Sequence, residues 1–171
     1  MGPIVGDAMA GSGTARAAFE ALFRAEAGRL VRLAHLLGAE DPEDVVQEAF
    51  CRLYDARQRR TLANPTAYLN RIVVNEVRTR GRRKLLADRR ILHGVTAAPA
   101  DEHVVLTESV RSMLHALDRL APRQREALVL RYWLDLPLAE IADVMQVRVG
   151  TVKSLVSRGL ARLAAELEDH R

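Results

Sequence analysis

The chain of 171 residues has one cysteine, Cys51, so no internal disulfide can hold it together. That lone thiol and five scattered histidines give no zinc-ligand spacing. No metal or other cofactor is expected. Aromatic residues make up only 4% of the chain. With Ala, Leu, Val and Arg dominant, this favours helices over sheet. No apolar run approaches the roughly 20 residues that a membrane span needs. The start lacks the basic residues and apolar core of a signal peptide, so a cytoplasmic protein without membrane insertion is expected. No repeat, heptad or strand-like alternation is visible. A GSG near the start lacks the Lys-Ser/Thr that a phosphate loop requires.

What is present is a helical pattern with segregated charge. The formal charge is only +4. Yet residues 40–48 hold five acids and no base, and RTRGRRK at 78–84 holds five bases and no acid. Residues 148–165 hold four bases and no acid. Separated blocks suggest two kinds of partner, one of them polyanionic. Residues 1–15, rich in Gly and small residues, read as a mobile tail. A first helix follows, with Phe19, Leu22, Phe23, Leu30, Leu33, Ala34 and Leu37 on one stripe. Gly38 is placed to end it. Asp41-Pro42 and Asn64-Pro65 each give an N-cap followed by a first-turn proline. Val45, Val46, Ala49, Phe50 and Leu53 face inward on the second helix, where Cys51 reads as a packing residue. Tyr68, Leu69, Ile72, Val73 and Val77 do so on the third. Periodicity fades over 85–104, which reads as a linker, with residues 85–92 open to reading as a prolongation of the third helix. Val105, Val110, Met113, Leu114, Leu117 and Leu120 mark a fourth helix. Pro122 opens a fifth, with Ala127, Leu128, Leu130 and Trp133. The expected architecture is all-α: two small bundles, residues 16–84 and 105–171, joined by a flexible linker.

Three constellations carry chemistry. LAEIADVMQVRVGTVKSLVS, residues 138–157, reads as a helix-turn-helix. Its packing positions are Ile141, Ala142, Met145, Val147, Val152 and Leu155. Arg148, Gly150, Thr151, Lys153, Ser154, Ser157 and Arg158 are left facing outward. A helix fits the DNA major groove, and this motif inserts the start of its second helix there. The turn position that usually favours Gly is Gln146, at a cost of about 1 kcal/mol for an L-residue in αL. In DPEDVVQEAFCRLY, Asp44, Gln47 and Glu48 share a helix face, which by physics alone reads as a solvated, well-capped surface. No base, nucleophile or metal set converges on these acids, so an enzyme is not expected. Finally, Arg57, Arg59 and Arg60 precede Asn64, while Asn70, Arg71, Asn75, Arg78, Arg80, Arg82, Arg83 and Lys84 follow it. Arginines here could neutralise phosphates, asparagines could bond base edges, and Tyr68 could stack on an unpaired base. A solubilising arginine-rich surface is the competing reading.

Together these residues resemble the extracytoplasmic-function (ECF) sigma factors, small initiation factors of bacterial RNA polymerase. The likeness spans residues 19–167. It includes D-x-E-D-hydrophobic-hydrophobic-Q-E-x-F at Asp41–Phe50 and N-P-x-A-hydrophobic-L-x-R-I at Asn64–Ile72. It also includes L-x-x-R-Q-R-E through L-R-Y at Leu120–Tyr132, E-I-A at Glu140–Ala142 and V-G-T-V-K-S at Val149–Ser154. The ending RGLARLAAEL is similar to a SigE-like group of high-GC actinobacteria. The resemblance implies a non-enzymatic subunit that binds core polymerase and directs it to promoters. Asp41, Asp44, Gln47, Glu48 and Phe50 would dock on the β′ coiled coil, and Leu130 and Trp133 would support contact with the β flap. The segment from Arg57 through Arg83 would recognise and open the −10 element, with Asn75 near the flipped base. Arg148, Val149, Gly150, Thr151, Lys153, Ser154, Ser157 and Arg158 would read the −35 element. Position 148 is often Pro or Ser in the family and is Arg148 here. An anti-sigma factor is a further partner known for many members. The alternative is an autonomous operator-binding regulator that uses only the helix-turn-helix.

Overall fold

A computed structural model describes residues 7–59, 62–90 and 108–168 of the chain. Among them there is no strand. Seven α-helices follow one another: α1 (Asp7–Leu36), α2 (Pro42–Arg59), α3 (Pro65–Arg90), α4 (Glu108–Asp118), α5 (Pro122–Leu128), α6 (Leu138–Met145) and α7 (Val149–Glu168). A five-residue π-helical turn, Val129–Trp133, extends α5.

The boundaries have local causes. Gly38 adopts φ +87°, and the amides of Gly38 and Ala39 bond the carbonyls of His35 and Ala34. This Schellman closure satisfies carbonyls that the helix end leaves open. The Asp41 carboxylate accepts from the Asp44 amide at 2.9 Å, and the Asn64 side chain accepts from the Ala67 amide at 2.9 Å. Both expected caps are therefore formed. Two expected boundaries shift. The tail reading of 1–15 gives way to helix from Asp7, with residues 1–6 outside the described residues. Ala8, Ala10, Ala15, Ala17 and Ala18 supply helix propensity that outweighs Gly11 and Gly13. At the other end, α3 continues through Arg90, the prolongation that the sequence left open against a linker starting at residue 85. Residues 91–107 of the expected linker lie outside the described residues.

The first core joins α1, α2 and α3 through Leu30, Leu33, Val45, Ala49, Phe50, Leu53, Leu69 and Val73. Phe19 and Phe23 pack on the Phe50 ring, with centroids 5.9 and 4.8 Å away. A second core holds the helix-turn-helix: Ala127, Leu130, Ile141, Ala142, Met145 and Val152. A third, smaller cluster of Leu117, Leu120 and Leu128 ties α4 to α5.

The two bundles are not separate. Val129 of the second half belongs to the first core, and Val74 of α3 belongs to the second. Arg78 of α3 pairs with Glu126 of α5. The Arg125 guanidinium donates to the Leu36 carbonyl at the end of α1. Small bundles bury limited apolar surface alone, and each half here completes its core with a residue of the other. Two expected packing positions turn outward. Cys51 is exposed, because it lies one helical step, about 100°, round from buried Phe50. Trp133 is 46% exposed, because the wider π turn breaks the 3.6-residue register that aligned it with Leu130.

Candidate nucleic-acid interface

The helix-turn-helix is built from α6 and α7. Ile141, Met145 and Val152 are fully buried between them, Ala142 nearly so, and Val147 and Leu155 are half-buried. Gln146 closes α6 at φ 56°, ψ 49°, the left-handed conformation expected at this turn. The Val147 amide reaches back to the Ala142 carbonyl at 3.0 Å. Above this packing, Arg148, Gly150, Thr151, Lys153, Ser154, Ser157 and Arg158 are all exposed, and Val149 is 39% exposed. Apart from its chain neighbours and its own helix backbone, no heavy atom lies within 4 Å of where a Gly150 Cβ would sit. The Ser154 hydroxyl donates to the Gly150 carbonyl, and Arg158 Nε donates to the Ser154 carbonyl. The first turns of α7 thus offer a basic and small-polar ridge that a groove can approach.

The residues around α3 divide by direction. Arg57, Asn64, Arg71, Arg82 and Arg83 are exposed, while Tyr68 and Asn75 are half-buried. The side chain of Arg59 and all of Arg60 lie outside the described residues. Asn70 is a correction: it is 6% exposed and accepts from Arg29 Nη2 at 2.8 Å. It ties α3 to α1 and presents nothing to a nucleic acid. Arg78 donates to Asn75 at 3.3 Å as well as pairing with Glu126. Arg71 lines a depression together with Asp143, Gln146 and Arg148. The α3 face carrying Arg71, Val74, Asn75 and Arg78 therefore lies against the second half, where the sequence pattern suggested two bundles joined only by a flexible linker.

The acidic helix α2 exposes Asp41, Asp44 and Gln47, and half-exposes Glu48. Phe50 is 4% exposed and Leu130 fully buried, so neither offers a surface to a partner. Both are core residues that support the faces above them. Arg52 of α2 and Arg80 of α3 reach the acids: Arg52 Nε lies 2.7 Å from Glu48 and Arg80 Nη1 2.5 Å from Asp44. Both guanidiniums titrate above their usual value. The main cause for Arg52 is its hydrogen bond to Glu48, and for Arg80 its hydrogen bond to Glu76. Neither loses its charge at any working pH.

Sequence reading missed the acids inside. Glu76 and Glu126 are 7% and 6% exposed, and each holds two arginines. Glu76 carried a signal, as the only acid between Asn64 and Lys84. Glu126 carried only a local one, Arg123 three residues earlier, because its other partner, Arg78, lies 48 residues away. No cluster of His, Cys, Asp or Glu suited to a metal occurs among the described residues. Nor is any of their helices long and apolar enough to cross a membrane.

A described structure built of helices, with a basic, exposed recognition helix and a distinct acidic helix, is that of a DNA-binding protein of the helix-turn-helix class. Comparison with known proteins narrows the class. Residues 22–85 match the family model of sigma-70 region 2, and residues 111–163 that of sigma-70 region 4. The RNA polymerase sigma-E factor of Streptomyces coelicolor is 32% identical over 154 residues, covering 87% of this chain and 85% of that one. The ECF RNA polymerase sigma factor SigM of Mycobacterium tuberculosis is 35% identical over 152 residues, covering 87% and 76%. CnrH, solved with the cytosolic domain of CnrY, superposes with a TM-score of 0.65 at 26% identity, covering 96% of each chain. The sigma factor RpoE of Bartonella quintana, solved with the anti-sigma factor NepR, shares the fold with a TM-score of 0.70 at 24% identity, covering 90% and 98%. The chain belongs to the ECF RNA polymerase sigma factors of the sigma-70 family.

Proposed function

We propose that this sigma factor holds bacterial core RNA polymerase through the outer face of α2 and reads promoters at two places. Asp41, Asp44, Gln47 and Glu48 dock on the β′ coiled coil, and exposed Trp133 at the π turn meets the β flap. The start of α7 enters the major groove of the −35 element, with Arg148, Thr151, Lys153, Ser154 and Arg158 toward bases and phosphates. Arg57, the segment before Asn64, and Arg71, Asn75, Arg78, Arg82 and Arg83 take the −10 element. There Asn75 meets an extruded base, and its capture offsets part of an unstacking cost of a few kcal/mol. Polymerase performs the nucleotide chemistry, in the cytoplasm. An anti-sigma factor is a further class of partner that membership of the family favours.

Geometry adds a requirement. The two promoter elements lie on the order of 25 base pairs, or about 85 Å, apart at 3.4 Å per step. A packed chain of this length has a radius of gyration of only about 15 Å. The packed arrangement cannot span both elements, so α3 must part from α5 and α6 when promoter is engaged. The face of α3 bearing Arg71, Asn75 and Arg78 becomes available in the same movement.

The observation that carries this reading is the exposed ridge of α7 over a packing grid whose centre, Ile141, Met145 and Val152, is fully buried. Run-off transcription with core polymerase and a genomic promoter library tests it. Transcripts are expected only when the chain is present, from promoters sharing paired −35 and −10 sequences. Tight sequence-specific duplex binding by the chain alone, with no dependence on core enzyme, would instead identify an operator-binding regulator.

A further inference from the structure

A chain of alternating charge crosses from α2 to α3 and back. Its centre is Glu76, whose side chain is 9% exposed. Glu76 Oε2 accepts from Arg52 Nη2 at 2.9 Å, and Oε1 accepts from Arg80 Nε at 2.9 Å. Each arginine passes another N–H outward, Arg52 to Glu48 and Arg80 to Asp44. The order is Asp44, Arg80, Glu76, Arg52, Glu48. At its two ends the carboxylates remain 57% and 41% exposed.

We propose that Glu76 is a positioning residue that, through Arg52 and Arg80, fixes the Asp44 and Glu48 carboxylates for docking on a basic polymerase surface. The inference rests on the docking role given to α2 above. Three arguments carry it. Glu76 is the only acid in the basic stretch from Asn64 to Lys84, and it sits where two arginines from different helices converge. An isolated surface pair holds a long side chain only weakly. A shared buried anchor makes both arginines rigid, and each then restrains one exposed carboxylate. Finally, three acids against two bases leave one net negative charge on the array, which suits a cationic partner. Side chains ordered before binding need not be ordered during it. Holding two in advance is expected to tighten docking about tenfold.

The test is a double-mutant cycle on the full chain, titrated against core RNA polymerase. Glu76→Gln keeps the shape but presents an amide NH2 to one of the arginines, and is expected to weaken binding about tenfold. Arg52→Gln lies at the surface, so the fold tolerates it. It cuts only the arm to Glu48 and is expected to weaken binding about threefold. In the Arg52→Gln background, Glu76→Gln should cost less than it does alone, because one arm is already cut. Wild-type affinity in Arg52→Gln would overturn the proposal. Tighter binding in that variant would do the same, by showing that Arg52 masks Glu48 instead of aligning it. Full additivity in the cycle would show that Glu76 acts only through general stability. Failure of the docking reading is separable: core binding would then survive removal of Asp44 and Gln47 whatever the cycle gives.

Discussion

Gln146→Gly isolates the strain in the turn of the helix-turn-helix. Gln146 holds φ 56°, ψ 49°, and an L-residue there costs about 1–2 kcal/mol because Cβ crowds the carbonyl oxygen. Glycine removes that cost. It also frees the unfolded chain, which offsets about 0.4–1 kcal/mol. The mid-range values leave a net gain of about 0.8 kcal/mol. Because the halves share their cores, the chain should melt as one unit, and a gain of this size raises Tm by about 1–4 °C. Thermal unfolding followed by circular dichroism and by Trp133 emission reads it. Gly38→Ala is the mirror control. It puts Cβ into φ +87°, 3.0 Å from Arg125 Nη1, and should lower Tm by a comparable or larger amount. A Gln146→Gly melting point at or below wild type would refute the argument that this turn is strained. Because Gly adopts the same backbone angles, −35 binding should not change.

Four further outcomes are expected. Lys153→Ala should weaken promoter binding by holoenzyme and reduce the slope of log K against log salt by about 0.9, if Lys153 meets one phosphate; an unchanged slope removes that role. Asp44→Ala with Gln47→Ala should abolish recovery of polymerase in a pull-down while circular dichroism stays helical, and retained holoenzyme would sink the docking claim. Gly159→Ala places Cβ 3.1 Å from Leu128 Cγ and Cδ1. Overpacking of about 1–3 kcal/mol then exceeds a helix-propensity gain near 1 kcal/mol, and Tm should fall. At Gly81, where an added Cβ meets nothing within 4 Å beyond its chain neighbours and its own helix backbone, the same change should raise it.

Local chemistry was legible in the sequence. The Asp41 and Asn64 caps, the Gly38 stop and the positive φ at Gln146 depend on side chains within a few residues of the backbone they govern. The helix-turn-helix grid was legible for the same reason, since helical spacing alone put Ile141, Met145 and Val152 beneath and Lys153 and Arg158 above. Long-range closure was not. Nothing in the local pattern of Val74 or Val129 says that each completes the other half's core. Asn70 reads as a polar surface residue until Arg29, 41 positions earlier, claims its carbonyl. Trp133 misled because periodicity assumes a constant 3.6 residues per turn, and the π turn breaks it. Phe50 and Leu130 belong to motifs with implied polymerase roles, yet their burial confines them to support.

The packing of α3 against α5 and α6 has a consequence for binding strength. A chain that spends most of its time packed presents its full promoter-reading surface only in the fraction that has opened. Its apparent dissociation constant for DNA is the intrinsic one divided by that fraction. Every 1.4 kcal/mol favouring the packed form therefore weakens apparent affinity about tenfold. A partner that holds the halves apart restores that factor without adding a single contact to DNA. Under the proposed opening, promoter affinity is conditional on company, and copies seated on polymerase outcompete free ones for chromosomal sites.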